Sequence, residues 1–339
     1  MPMTPTVNII ADFNIFVNIN HDITAQRAAA HCAQPKPPAE GEELRRWTEK
    51  KQLAFAIAKK LAAAGFEGRA DRMKECSDII EYSYCRDCGG YHVHRANLCR
   101  DRFCPVCSWR LSLQRFGEMR RVLIALAQGY PEADFSLVTL TVKNCHVQDL
   151  DKTMKRMSAA WNMVNNRVIM KREVKGWARS VELTYNEESR EVHPHYHVLV
   201  MWESKEHGDD LRRAWIDCAR QKKLTAEIQC QNSKLIGADG DDTELVGAIL
   251  ETYKYNIKGS TLDAMPLFEF RAVADQWAHK RLLAFGGKIA EYVKACEAEL
   301  EAIKDDEDTL TCSDCLSHSI ERLVYKWSFG GFRRLRADE

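Results

Sequence analysis

The sequence predicts an α+β fold in which helices pack on an antiparallel β-sheet. Residues 134–144 alternate as a strand that is apolar on both faces, and residues 177–186 and 195–200 form two further strands. The polar stretch between these two strands is short, and a short turn joins antiparallel neighbours. Segments with helical spacing alternate with the strands, so the order β-α-β-β-α-β-α predicts an α+β sandwich.

The other elements follow from apolar spacing and from helix-ending residues. Residues 1–40 contain a proline-rich stretch and predict an extended arm, whereas 41–65 predicts a helix that Gly65 ends. Residues 108–128 predict a basic amphipathic helix that stops before Pro131. The remaining predictions are helices at 149–171, 205–221, 243–258 and about 262–284, with a short strand at 224–231. The predicted domains are an N-terminal arm and helix (1–75), a basic zinc module (76–128), the sheet domain (129–295) and a C-terminal extension (296–339).

The composition and the distribution of charge indicate the class of protein and the kind of ligand it binds. Hydrophobic residues make up 45% of the 339 residues and the net charge is zero, which is typical of a globular protein. No apolar run approaches the ~18 residues of a membrane span, and no secretion signal begins the chain, so we expect a cytoplasmic protein without membrane contact. Eight arginines stand against three acidic residues between Cys85 and Arg121. This excess predicts contacts to nucleic-acid phosphates, by Arg100, Arg102, Arg110 and Arg115.

Thirteen cysteines in a chain that lacks a secretion signal predict metal-binding or packed thiols. The pairs Cys85/Cys88 and Cys104/Cys107 are fifteen residues apart, which is the spacing of a structural zinc site, and Cys99 lies between them. Which four residues bind is left open. A further group, Cys312, Cys315 and His318, either forms a second zinc site or joins the first. The scattered cysteines, Cys76 among them, are expected to be inert buried thiols.

A histidine cluster marks the second metal site, in the stretch "HPHYHVLV". His195 and His197 point to one face of the predicted strand, and His193 precedes Pro194 at the strand entrance. If Asn186 pairs with Glu191, Glu182 lies opposite His195 on the same face. Two imidazoles and a carboxylate can bind one divalent ion and leave room for a substrate oxygen.

The predicted helix 243–258 has two faces. One is apolar and includes Tyr253, whereas Glu251, Tyr255 and Lys258 recur on another face. At ~100° per residue the two tyrosines are about 200° apart. We therefore expect Tyr253 to pack in the core and Tyr255 to be available for chemistry.

Three stretches in this order, "FSLVTLTVKN", "HPHYHVLV" and "ETYKYNIK", resemble the motifs of the HUH endonucleases. They are most similar to the rolling-circle replication initiators of the large single-tyrosine plasmid family. The stretch "LCRDRFCPVCSWR" resembles the cysteine-rich segment of that family, and "RLLAFGGKIAEY" and "YKWSFGGFRRLR" resemble its C-terminal blocks. The resemblance covers roughly residues 85–336 and implies metal binding by His195 and His197, a Tyr255 nucleophile and hydrolysis promoted by Glu251.

The resemblance implies a sequence-specific nickase that starts and ends plasmid rolling-circle replication in the bacterial cytoplasm. It would form a 5′-phosphotyrosine and leave a free 3′-hydroxyl, with Mn²⁺ or Mg²⁺ on His195, His197 and Glu182 and with structural Zn²⁺. Lys258 would stabilise the phenolate or the phosphate charge. The expected partners are origin DNA and the host helicase, DNA polymerase and single-strand-binding protein. Two alternatives stay open: an HUH transposase, and a non-catalytic zinc-stabilised DNA-binding protein.

Overall fold

The computed structural model describes residues 42–204, 210–226, 249, 252, 257–278, 280–305, 312, 315 and 317–335. These residues belong to two compact units. One unit has the chain bounds Met1–Cys107 and Glu297–Glu339, and the other has the bounds Ser108–Cys296. The first unit is therefore built from both ends of the chain.

The elements are numbered in chain order. In the described residues the helices are α1 (Glu42–Ala63), α2 (Glu67–Lys74), α3 (Pro105–Gly129), α4 (Leu150–Asn165), α5 (Val168–Arg172), α6 (Asp210–Gln221), α7 (Gly259–Ala264), α8 (Leu267–Trp277) and α9 (Gly287–Asp305). The strands are β1 (Ile79–Cys85), β2 (Tyr91–Ala96), β3 (Asp134–Thr141), β4 (Cys145–His146), β5 (Val174–Asn186), β6 (Glu191–Trp202), β7 (Leu283–Gly286), β8 (Ile320–Ser328) and β9 (Gly331–Arg334). None of these described helices is long and apolar enough to cross a membrane.

The first unit contains a four-stranded antiparallel sheet in the order β2-β1-β8-β9. No local periodicity in the sequence predicts these strands. Helix α1 ends as predicted at Gly65, which has φ +86°. The N–H of Gly65 donates to Ala62 O at 2.9 Å and that of Phe66 donates to Leu61 O at 2.9 Å. Glycine adopts this left-handed conformation without a Cβ penalty, so the helix terminates there.

The second unit contains the predicted antiparallel sheet, in the order β3-β6-β5-β7 with β4 pairing at the end of β6. Strand β6 is central and most of its residues are buried, which explains the long apolar run after the histidines. The α+β class is confirmed. Helix α4 lies on one sheet face, where Trp161 meets Trp177 of β5 edge to face at 5.0 Å.

Several predicted elements differ from the structure. The helix predicted at 149–171 is two helices, α4 and α5, with a break at Asn166 and Arg167. The helix predicted at about 262–284 is also divided, because Pro266 lacks the N–H that a continuous helix needs, and its last residues belong to β7. Leu224–Ala226 form no strand, and the rest of the strand predicted at 224–231 lies outside the described residues.

Candidate active site and metal centres

The hairpin of β5 and β6 brings together the three residues of the predicted divalent-metal site. Asn186 pairs with Glu191 and Glu182 pairs with His195, which confirms the predicted register. The Oε2 atom of Glu182 lies 3.0 Å from His195 Nε2 and 2.8 Å from His197 Nε2. All three side chains are buried, and their ligand atoms lie within 4.8 Å of one another. His193 lies within β6 rather than at its entrance.

The hydrogen bonds behind the imidazoles favour a cation at this point. His195 Nδ1 is 3.3 Å from the carbonyl oxygen of His193, which can accept a proton from that nitrogen. With the proton on Nδ1, the lone pair of Nε2 would face the Glu182 carboxylate oxygen at 3.0 Å, which is the orientation of a metal ligand. Two acceptors this close repel each other unless a cation or a proton lies between them. The Oγ1 of Thr139, on β3, lies 3.3 Å from His197 Nδ1 and orients the second ring.

The distances fit a divalent ion. Ligands at adjacent corners of an octahedron with ~2.1 Å bonds are about 3.0 Å apart, close to the two separations measured here. Two nitrogens and one oxygen leave the remaining positions of a divalent ion to water or other oxygen ligands. The arrangement can therefore hold a divalent ion next to an anionic substrate.

A first group of four cysteine sulfurs lies in the first unit and consists of Cys76, Cys99, Cys104 and Cys107. Cys107 Sγ is 3.5 Å from Cys76 Sγ and 3.6 Å from Cys99 Sγ, and Cys104 Sγ is 3.6 Å from Cys76 Sγ. Sulfurs on a tetrahedral ion with ~2.3 Å bonds are about 3.8 Å apart, so the group fits zinc. Hydrogen bonds from the Cys104, Cys107 and Cys99 thiols lower the pKa of Cys76 far below its usual range.

A second group of four consists of Cys85, Cys88, Cys312 and Cys315. Cys85 Sγ is 3.5 Å from Cys315 Sγ and Cys88 Sγ is 3.6 Å from Cys312 Sγ, again consistent with zinc. Burial raises the pKa of Cys85, but hydrogen bonds from the backbone N–H groups of Cys88 and Asp87 and from the Cys315 and Cys88 thiols together lower it to about 7. A lowered pKa favours the thiolate that a metal requires.

The grouping of the cysteines differs from the sequence expectation. Cys85 and Cys88 do not share a site with Cys104 and Cys107, because β1 carries Cys85 alongside β8, which follows Cys312 and Cys315. Cys76, expected as an inert thiol, belongs to the first group, and the sequence offers no C-x-x-C partner for it. His318 belongs to neither group.

The predicted nucleophile helix is only partly described. Tyr255, Glu251 and Tyr253 lie outside the described residues. Ile249 and Thr252 are helical, but Lys258 is extended, with φ −67° and ψ 136°, and it precedes α7. Lys258 is therefore not on the helical face to which the sequence pattern assigned it. Its side chain is exposed.

The four predicted DNA-binding arginines lie in or after the loop of the first cysteine group. Arg100 and Arg102 are exposed, and the backbone N–H of Arg100 donates to Cys107 Sγ at 3.2 Å. Burial lowers the pKa of Arg102, which is nevertheless a cation at neutral pH. Arg110 and Arg115 are on α3 and half-buried, with the Arg110 guanidinium 5.6 Å from the centre of the Trp109 ring.

A family of proteins described as "Replication protein" matches residues 90–334, which include β5, β6 and most of the cysteines. The chain belongs to this replication protein family. A Streptococcus pneumoniae relative named "Protein rep" is 27% identical over 79% of the chain and 86% of the relative. Another "Protein rep", from Lactiplantibacillus plantarum, is 25% identical over 86% of the chain and 95% of the relative. No solved structure matches the chain. The match confirms the predicted membership in a replication protein family.

Proposed function

We propose that this replication protein is an HUH-type endonuclease that initiates and terminates rolling-circle replication of a plasmid. The convergence of Glu182, His195 and His197 on adjacent strands of an antiparallel sheet is the observation that carries the proposal. The names of the relatives support a role in replication, and the order of the three sequence motifs supports this enzyme class.

The proposed reaction is a phosphodiester exchange. A divalent ion on the two histidines and Glu182 supplies Lewis-acid polarisation of the scissile phosphate when bound. The oxygen of Tyr255 attacks phosphorus and its proton passes to a base or to water. The bond to the 3′ oxygen breaks, and that oxygen takes a proton from water to become a hydroxyl. One strand is then joined to Tyr255 through its 5′ phosphate, and the other keeps a free 3′-hydroxyl for the host polymerase. Because one ester replaces another, the step requires no ATP.

Termination requires a second event at the same phosphate. We assign Glu251 as the base that activates water for hydrolysis of the final phosphotyrosine, since it precedes Tyr255 by four residues, which is one turn of the predicted helix. We assign Lys258 to stabilise the negative charge on the phenolate or on the phosphate. Its exposed position at the start of α7 allows it to reach a bound strand from outside the predicted helix.

Each of the two cysteine groups is proposed to hold a structural zinc ion. The sulfur separations fit tetrahedral coordination in both groups. In the second group, Cys85 and Cys88 lie at the end of β1 and Cys312 and Cys315 lie before β8. A zinc ion there would link the N-terminal and C-terminal segments of the first unit. We assign the phosphates of the origin duplex to four arginines, Arg100, Arg102, Arg110 and Arg115. Because these contacts are ionic, DNA binding should weaken as the salt concentration rises. Host helicase and single-strand-binding protein would act on the unwound strands.

The proposal is tested with supercoiled DNA that carries the neighbourhood of the protein's own gene. In Mn²⁺ or Mg²⁺ we expect relaxed circles with protein attached to a 5′ end. A chelator in a parallel reaction is the control and should prevent the nick. DNA that binds the protein but is not cut in any divalent metal would favour the non-catalytic alternative.

A further inference from the structure

A cleft of about 370 Å³ lies on the face of the five-stranded sheet opposite Glu182 and His195. Trp177 and Arg179 alternate along β5 with the residues that point to the metal face, so the cleft and the metal site are on different sides of one strand. Helix α4 and the strands β5, β6 and β7 form its walls. The lining residues that matter for binding are Lys155, Trp161, Asn165, Trp177, Arg179 and Tyr196.

The cleft is strongly cationic. Four of its lining residues are basic, namely Lys155, Arg179, Lys280 and Arg281, and none of the lining residues carries a carboxylate. Asp151, on α4, pairs with Lys155 at 2.7 Å and also contacts Lys280. One carboxylate is therefore shared by two of the four cationic side chains, so the cleft keeps a net positive charge that attracts an anion.

Buried polar groups in the wall have no hydrogen-bond partner within the described part of the chain. Arg179 is only 6% exposed, and its Nε and Nη1 are both unpaired. Trp161 Nε1 and Asn165 Oδ1, which belong to the same lining, are also unpaired. The Arg179 guanidinium lies 4.3 Å from the centre of the Tyr196 ring and 5.7 Å from that of the Trp161 ring, and neither ring accepts a conventional hydrogen bond. A buried guanidinium is expensive to leave unpaired, so these groups indicate a polar ligand.

Aromatic rings lie beside the cations. The half-buried Trp177 is held in place by Gly286, where a Cβ atom would lie 2.4 Å from Trp177 Cε2. Trp161 packs edge to face against Trp177, so the two indole rings form an aromatic wall of the cleft. Fixed aromatic rings provide surfaces on which nucleobases stack, and guanidinium groups match the geometry of phosphate.

We propose that this cleft binds a nucleotide, with the phosphate at Arg179 and Lys155 and the base against the aromatic rings. The ligand is either a free mononucleotide or one residue of a single-stranded DNA. Both carry the same phosphate and base. The site goes beyond the proposed nicking reaction, because it lies on the other sheet face and uses none of the residues assigned to that reaction.

Calorimetric titration of the full chain tests the proposal. The probes are dTMP, thymidine and inorganic phosphate, with an eight-residue oligo-dT as the strand, and all titrations use the Tyr255→Phe background so that no DNA is cut. We expect dTMP to bind more tightly than thymidine or phosphate alone. Arg179→Gln should weaken dTMP binding by about 10- to 100-fold, since hydrogen bonds to a charged group are lost.

Two further variants keep the test decisive. Lys155 is exposed, so Lys155→Gln leaves the fold intact, and it should weaken dTMP binding in the same direction. Arg172→Gln is the matched control, because Arg172 is exposed on α5 and does not line the cleft. If oligo-dT binds much more tightly than dTMP and shows the same sensitivity to Arg179→Gln, the natural ligand is a DNA strand. Equal affinities identify a free nucleotide.

The proposal is overturned if neither dTMP nor oligo-dT binds. It is equally overturned if both bind Arg179→Gln and Lys155→Gln as tightly as the unmodified cleft. Failure of the nicking proposal is a separate result, because it is scored on DNA cleavage and leaves nucleotide binding at this cleft unchanged.

Discussion

Replacing Lys51 by methionine removes an ammonium group that ties helix α1 to the segment carrying Cys76. Lys51 has no exposed surface. Its Nζ donates to Lys74 O at 2.5 Å, to Cys76 O at 2.6 Å and to Asp78 Oδ1 at 2.7 Å. All three N–H groups of the ammonium are used, whereas methionine fills a similar volume and donates nothing.

The loss in free energy of unfolding caused by Lys51→Met can be estimated from these contacts. Hydrogen bonds with a charged group contribute about 1.5–3 kcal/mol each, but desolvation of the ammonium offsets part of their sum. Removing one partner of a buried ionic cluster destabilises a protein by about 3–5 kcal/mol. The Asp78 side chain is 40% exposed and keeps its hydration, so we expect the lower end, about 3 kcal/mol. With a urea slope of about 2 kcal/mol per molar, the unfolding midpoint falls by about 1.5 M.

The assay is urea unfolding followed by circular dichroism, together with zinc release to a chromophoric chelator. Zinc should leave the first cysteine group faster in Lys51→Met, because the Cys76 backbone has lost its anchor. Lys59→Met, at an exposed position of the same helix, is the control and should change stability by less than about 0.5 kcal/mol. If Lys51→Met unfolds at the same urea concentration as Lys59→Met, the buried ammonium does not stabilise the first unit.

Three more predictions concern the metal centres and the nucleophile. The purified protein should contain two zinc ions per chain by elemental analysis, and Cys76→Ser and Cys88→Ser should each remove one and together remove both; a total of one zinc per chain, lost completely with either variant, would restore the one-site interpretation. Tyr255→Phe should eliminate the covalent DNA adduct on a denaturing gel whereas Tyr253→Phe retains it, and the reverse result would exchange their roles. Glu251→Ala should nick normally but accumulate adducts on a plasmid with two tandem origins, and normal termination would favour a transposase.

The central sheet was predictable because its signal is local. The alternation in 195–200 and the short turn before it determine the register that places Glu182 beside His195. The four-stranded sheet was not predictable in this way, since β1 pairs with β8 more than 200 residues later and no periodicity connects them. The apolar spacing of residues 262–284 continues across Pro266, so spacing alone predicted one helix where the proline separates two.

The site residues were likewise predictable where the signal is local and unpredictable where it depends on distant parts of the chain. The two histidines are two residues apart, so a strand alone brings them together. The spacing of Cys85 and Cys88 identifies them as ligands but not their partners, which depend on the pairing of distant strands. Cys76 has no neighbouring cysteine, and the Arg179 cleft joins a helix to three strands, so only the folded chain brings its residues together.

The nicking proposal is tested most directly by His197→Ala, with His146→Ala, an exposed histidine on β4, as the matched control. Both variants are assayed for metal-dependent cleavage of supercoiled origin DNA and for binding to the origin duplex. Because His197 is assigned to the metal and the arginines to the duplex, His197→Ala should lose cleavage and keep near-normal binding, whereas His146→Ala should keep both. Cleavage by His197→Ala at the control rate, or loss of binding in proportion to cleavage, would contradict a catalytic metal at Glu182, His195 and His197.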